Sequence, residues 1–216
     1  IYRKTNILFN VSGLAMPLND VEISLDGKKI NTKTNINGQV THNMKFTKNK
    51  LSVILSRNGY MNTAQTISLT PGENIINQTM DPIIHYVNAI NYNTRQIVTG
   101  LDFSGKNLIS YSYDEQNFRY VLHFSKVGDD SIKIKDEMNR FQETTFDVNI
   151  NKNNLMKVSE VPMYEITYIS FMFNDRKGTP LSDVEVAVNK GKIGTSNSRG
   201  EIRKLIEYKE STFKAN

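Results

Sequence analysis

Three histidines, His42, His85 and His123, are the residues of this chain most able to hold a metal or move a proton. A metal site needs converging ligands, and these three stand far apart on separate segments. The sequence therefore predicts solvated strand positions rather than a shared site. Two acidic pairs, Asp129-Asp130 and Asp136-Glu137, carry the oxygen ligands that calcium takes. Neither lies in an Asp-x-Asp-x-Asp-Gly loop, and adjacent carboxylates on a strand point to opposite faces, so solvated loops are expected. No Gly-x-Ser-x-Gly elbow and no Gly-x-x-x-x-Gly-Lys-Ser/Thr phosphate loop occurs. The 216 residues include no Cys, which removes disulfides, thiolate nucleophiles and cysteine-held zinc together. A glycosidase-like carboxylate pair needs a cleft, which small repeated domains do not offer. The expectation is a non-enzyme without cofactor or metal.

Aromatic side chains are the better sign of binding. Tyr111 and Tyr113 alternate onto one strand face, with Phe118 and Tyr120 close behind, and Lys126-Val127-Gly128-Asp129-Asp130 forms a distinctive loop nearby. Tyr111, Tyr113, Lys126, Asp129 and Asp130 are the candidate contacts for a glycan or a partner protein. The competing reading makes the tyrosine face part of a core, since Tyr is a normal strand residue.

The surface charge favours no polyanion. The formal net charge is +5, from 27 basic and 22 acidic residues. The bases are scattered, with Lys45, Lys48 and Lys50 as the densest group, and no aromatic ladder interleaves them. Nucleic acid is not an expected partner. No run approaches the ~18 apolar residues of a membrane helix, so this segment is not expected to insert in a membrane. The chain opens at Ile1-Tyr2-Arg3-Lys4, which reads as an excerpt from a longer polypeptide.

The elements that must position these residues are strands. Ile7-Phe9-Val11, Val21-Ile23-Leu25, Leu51-Val53-Leu55 and Ile67-Leu69 place apolar side chains at every second residue. Turn signals separate them at Ser12-Gly13, Asp26-Gly27, Asn37-Gly38, Asn58-Gly59 and Pro71-Gly72. Further strands are expected over Ile83–Ile90, Gln96–Phe103, Leu108–Tyr113, Phe118–Phe124, Ser131–Lys135, Thr144–Ile150 and Leu155–Val161. Short strands without crossover helices predict an all-β antiparallel sandwich. The 26 Asn suit a turn-rich β protein and carry no catalytic meaning. The sequons Asn10-Val11-Ser12 and Asn77-Gln78-Thr79 are attributed to this Asn richness.

The chain also nearly repeats itself. Pro17-Leu18-Asn19-Asp20-Val21-Glu22-Ile23 returns as Pro180-Leu181-Ser182-Asp183-Val184-Glu185-Val186. Ile36-Asn37-Gly38 returns as Ser198-Arg199-Gly200, 162 positions on (38 to 200). A fainter copy stands halfway: Asn58-Gly59-Tyr60 matches Asn139-Arg140-Phe141, 81 positions on (60 to 141). At that offset Leu51, Val53, Ile67, Leu69 and His42 map onto Ile132, Ile134, Val148, Ile150 and His123. A fixed period of this length predicts serial small domains. The expected boundaries are 1–81, 82–163 (degenerate) and 164–216 (truncated), with Asp81-Pro82 and Val161-Pro162 as short links. Phe213 aligns with Leu51, so the third copy is expected to lack its last strands.

Gly13-x-x-x-Pro17-Leu18-x-Asp20-Val21-x-Ile23, then Thr34-Asn35-x-Asn37-Gly38 and Asn58-Gly59-Tyr60, resembles a carboxypeptidase regulatory-like domain. The third copy resembles it through Asp175-x-x-Gly178-x-Pro180-Leu181-x-Asp183-Val184-x-Val186 and Gly194-Thr195-x-x-x-x-Gly200. The resemblance implies seven-stranded transthyretin-like or Ig-like sandwiches and a non-catalytic accessory or spacer module. Such modules occur in bacterial surface proteins, nutrient-receptor extensions and phage structural proteins. The expected function is thus a structural or spacer segment of a large bacterial cell-surface or phage virion protein. Its partners would be other proteins, copies of itself or a surface glycan. A virion fibre or decoration protein and an adhesin module are the alternatives.

Overall fold

The computed structural model describes residues 3–188 and 191–206; Phe213 lies outside them. Among these residues all regular structure is strand. The first eight are β1 (Lys4–Gly13), β2 (Met16–Pro17), β3 (Glu22–Leu25), β4 (Lys28–Lys29), β5 (Gln39–Lys45), β6 (Lys50–Ser56), β7 (Thr63–Ser68) and β8 (Gly72–Thr79). Then come β9 (Ile84–Asn91), β10 (Leu101–Ser104), β11 (Leu108–Asp114), β12 (Arg119–Phe124), β13 (Gly128–Asp136), β14 (Thr144–Ile150) and β15 (Val158–Met163). The last are β16 (Thr167–Met172), β17 (Glu185–Val188), β18 (Gly191–Thr195) and β19 (Glu201–Ile206). Contacts gather the chain into two compact units. One holds residues up to 87 with 105–132 and 147–159; the other holds 88–104, 133–146 and the chain from 160 on.

Within the first unit, β1 to β8 form two sheets. One is ordered β4-β3-β6-β7 and is antiparallel throughout. In the other, β1 lies between β5 and β8, and β2 folds back onto its end. The alternating apolar residues do what their period requires. Ile7, Phe9, Val21, Ile23, Val53 and Leu55 are at most 1% exposed and form one core with Met80. One pairing departs from the antiparallel expectation. β1 and β8 run parallel, in register from Thr5↔Gly72 to Ser12↔Thr79. No crossover helix is needed, because the chain between them crosses to the other sheet and returns. The turn expected at Ser12-Gly13 also moves on, to Leu14 and Ala15 with φ of 50° and 61°. Gly13 ends β1 instead, where a Cβ would stand 2.7 Å from the Tyr60 ring and 2.8 Å from Leu18 Cδ1.

The β strands after Pro82 pair in a matching order. The sheet β11-β12-β9-β15 reproduces β5-β1-β8 as β12-β9-β15, with β11 added at its edge. The sheet β10-β13-β14 reproduces β3-β6-β7. Ile132, Ile134, Val148 and Ile150 are buried like their counterparts Leu51, Val53, Ile67 and Leu69. The expected loop 126–130 is shorter than the sequence suggests, since β13 already starts at Gly128. The Gln96–Phe103 segment contracts to β10, preceded by an isolated bridge between Ile90 and Ile97.

The strongest internal correspondence is a hydrogen-bonded latch made twice. Val11 N–H donates to the Gly38 carbonyl at 2.8 Å, while Leu18 N–H donates to the Val11 carbonyl at 2.9 Å. Phe173, Gly200 and Leu181 repeat both bonds at 2.8 and 2.9 Å. The carboxamide oxygen of Asn35 accepts from Asn37 and Gln39 N–H, as that of Asn197 does from Arg199 and Glu201. Buried Thr34 Oγ1 donates to the Leu18 carbonyl at 2.6 Å and accepts from Val21 N–H. Ser196 makes the same two bonds to Leu181 and Val184. Even the left-handed residues recur, Asp20 at φ 56° and Asp183 at 61°.

Glycine is obligatory at the heart of each latch. A Cβ on Gly38 would lie 2.2 Å from the Val11 carbonyl oxygen, and one on Gly200 would lie 2.3 Å from that of Phe173. Both also have positive φ, 70° and 71°. Gly27 has φ of 77° but open space around it. In urea denaturation, Gly27→Ala is expected to cost no more than the ~1–2 kcal/mol of left-handed strain. Gly38→Ala is expected to cost clearly more, because backbone must move.

Candidate binding surface

Tyr111 and Tyr113 sit on β11, the edge strand of its sheet, and both are half-buried. Register decides which way they face. Tyr111 stands opposite Leu122 and Tyr113 opposite Tyr120, and both partners are buried. The Tyr113 and Tyr120 rings lie 5.0 Å apart, tilted by 59°. Burial, then the nearby Glu115 and Asp114 carboxylates, pushes the Tyr113 hydroxyl above its ordinary pKa. The pair thus lies along the margin of the core, with Ser110 and Ser112 on the opposite face.

The hairpin that carries them is closed by Asp114. Its carboxylate accepts from Gln116 and Asn117 N–H at 3.2 Å, from Asn117 Nδ2 at 2.8 Å and from Arg119 Nε at 3.4 Å. The Asn117 side chain first, then the Asn117 backbone and Arg119, outweighs partial burial and holds this carboxyl below its usual pKa. Arg119 also lies over the Tyr86 ring, 3.6 Å from its centroid. At the tip, Phe118 takes φ of 52° and is 62% exposed.

Lys126 is exposed in the bend between β12 and β13. Asp129 and Asp130 begin β13 and have structural partners. Asp130 accepts from Lys106 N–H at 3.1 Å and Asn107 N–H at 2.8 Å, which caps the turn before β11. Asp129 accepts from Asn149 Nδ2, and its carbonyl from Asn107 Nδ2. The two aspartates, Lys106, Asp147 and Asn149 line one shallow depression. Four of the five sequence candidates thus fall in two separate places, a tyrosine margin on β11 and an acidic depression at the start of β13, and Lys126 lies outside both.

Two further expectations change. His85 is 5% exposed rather than solvated, with Nε2 2.8 Å from Ser159 Oγ, and His123 is half-buried. Burial lowers both imidazole pKa values. Asp136 is also buried, not solvated. It accepts from Arg140 Nη2 at 2.8 Å and from Phe141 N–H at 3.2 Å, while Arg140 Nη2 donates to the Thr99 carbonyl at 2.6 Å. Burial opposes the Asp136 charge, but the Arg140 and Phe141 bonds win and its carboxyl stays below its usual pKa. The Arg119–Tyr86 contact leaves no mark in the sequence, whereas the Asp136–Arg140 pair has its i,i+4 spacing as a signal. Among the described residues no three His, Asp or Glu side chains gather to hold a metal ion.

No protein-family model matches the chain, and no curated protein matches its sequence. Solved structures do match. The Bacillus anthracis TIE protein is 15% identical over 94% of this chain and 43% of that one, with a TM-score of 0.35. The shaft pilin SpaA of Lactobacillus rhamnosus GG is 9% identical over 75% and 98% of the two chains, with a TM-score of 0.36. BcpA, the major pilin subunit of Bacillus cereus, is 10% identical over 94% and 85%, with a TM-score of 0.34. The chain spans less than half the length of the TIE protein. At scores this low the likeness transfers neither site nor role.

Tyr113→Ala is expected to cost about 2 kcal/mol of stability through the lost Tyr120 contact, against less than about 0.5 kcal/mol for exposed Ser112→Ala. Thermal melts of the two variants check this. The histidines predict acid sensitivity. Because the folded state resists their protonation, their contribution is whole above their unfolded pKa of about 6.5 and is lost as pH falls through the lowered folded values. Urea midpoints from about pH 7.5 to 5 should fall, less steeply in His85→Gln.

Proposed function

We propose that this chain is a non-catalytic structural segment of a large surface-exposed bacterial or phage protein, which spaces and presents other domains. It is read as serial sandwiches over 1–81, 82–163 and 164–216, working with protein partners or copies of itself. The observation that carries this reading is a join built twice to one pattern. Met61 N–H donates to the Asp81 carbonyl at 2.8 Å and Ile83 N–H to the Gly59 carbonyl at 2.9 Å. Gln142 N–H donates to Tyr164 and Ile166 N–H to Arg140 at the same two distances. Tyr60 and Phe141 stand at matching places in these joins, bridged to Pro82 and Glu165.

A connection whose backbone is hydrogen-bonded to the preceding loop is a fixed joint, unlike a solvated linker. Serial domains on fixed joints set distance and orientation, which is a mechanical task and needs no reactive group. The carboxypeptidase regulatory-like resemblance of the latch residues fits the same task. NMR relaxation at residues 81–83 and 164–166 tests the joint: order parameters of about 0.85 are expected, as in strands, and values under about 0.6 would remove it. The setting is tested by antibodies against the folded segment, which should label intact cells or virions.

A further inference from the structure

We propose that the β1–β8 pair is a tensile clamp, so that the sandwich resists being pulled apart by its two chain ends. The geometry is specific. β1 is the first strand and β8 the last, they are neighbours, and they run in the same direction over eight register pairs. Tension entering at Lys4 draws β1 towards its own beginning. Tension leaving past Thr79 draws β8 towards its own end. In parallel strands these pulls are opposed along one axis, so the ladder is loaded in shear and its evenly spaced bonds share the load. Antiparallel end strands would open one bond at a time.

Further contacts cross the same seam. Asn10 Nδ2 donates to Asn77 Oδ1 at 2.8 Å, Ser12 Oγ meets Thr79 Oγ1 at 3.3 Å, and Thr5 Oγ1 donates to the Thr70 carbonyl at 3.1 Å. Met80 N–H adds a bond to the Ser12 carbonyl at 2.8 Å, just where force would enter β8. The arrangement recurs. β9 and β15, again first and last of their set, are sheet neighbours. Tyr86 N–H donates to Lys157 and Tyr92 N–H to Met163, and the two bonds keep one sequence offset, which only strands of the same direction can do.

That tension arrives at these ends rests on the array reading above; the clamp itself does not. Single-molecule pulling separates the two, and a chain without Cys takes engineered handles cleanly. Handles at Lys4→Cys and Asp81→Cys load the pair in shear; handles at Leu14→Cys and Asp81→Cys peel it from one end. Both sites of the second pair and Met16 are exposed, so Met16→Cys with Asp81→Cys is a second peeling geometry if Leu14→Cys alters folding. Circular-dichroism melts show that each variant is folded. A several-fold higher unfolding force in shear than in both peeling geometries is expected, since forced unfolding reads the barrier along the pulled direction. Equal forces in the two directions overturn the clamp. Mobile joints at 81–83 with a strong shear direction would overturn the array reading and leave the clamp standing.

Discussion

The approach of one backbone to another at Val11 and Gly38 is the constraint on which the first sandwich turns. The Val11 peptide is held from both sides, its N–H by Gly38 and its carbonyl by Leu18. There is no room for a Cβ at Gly38, so the loop before β5 can close onto β1 only through glycine. Once closed, it fixes where β5 begins and holds Leu18 and Val21 at the mouth of the core. Thr34 then satisfies the two buried backbone groups left at that mouth. Recurrence of every one of these bonds around Phe173, Gly200 and Ser196 shows that the latch is a unit, not a coincidence of packing.

Closure of that kind has consequences for the rest of the sheet. With β1 pinned by β5 on one side, its other edge is open for β8, and the chain returns to it in parallel. First and last strands then lie together, and the chain leaves the sandwich beside Tyr60, whose ring packs against Gly13. The join to the following strands is made there by two backbone bonds. Local closure, end-strand pairing and the bonds that Met61 and Ile83 donate to Asp81 and Gly59 therefore form one continuous run of hydrogen bonding.

The candidate binding residues show how register governs what a side chain can offer. Tyr111 and Tyr113 are on an edge strand, yet their face is the one that Leu122 and Tyr120 fill. Asp130 looks like a ligand in sequence, but its oxygens are taken by the N–H groups of Lys106 and Asn107. Carboxylates in turns commonly serve the backbone in this way, because an uncapped N–H near the protein interior is costly.

By itself the sequence determined the all-β class, most strand positions, the hairpin at Asp26-Gly27 and the turn at Asn37-Gly38. Those features are local: alternation of two and the positive φ of a turn are written in neighbouring residues. Thr144–Ile150 could be marked to the residue for that reason. It left the candidate site half legible, naming Tyr111 and Tyr113 as one face without saying whether that face was open. Only the tertiary structure decided the parallel β1–β8 seam, the burial of His85 and Asp136, the turn at Leu14 and Ala15, and which strand lies at an edge. Strand pairing joins residues far apart in the chain, and a period of two is the same whichever neighbour a strand finds and whichever direction that neighbour runs.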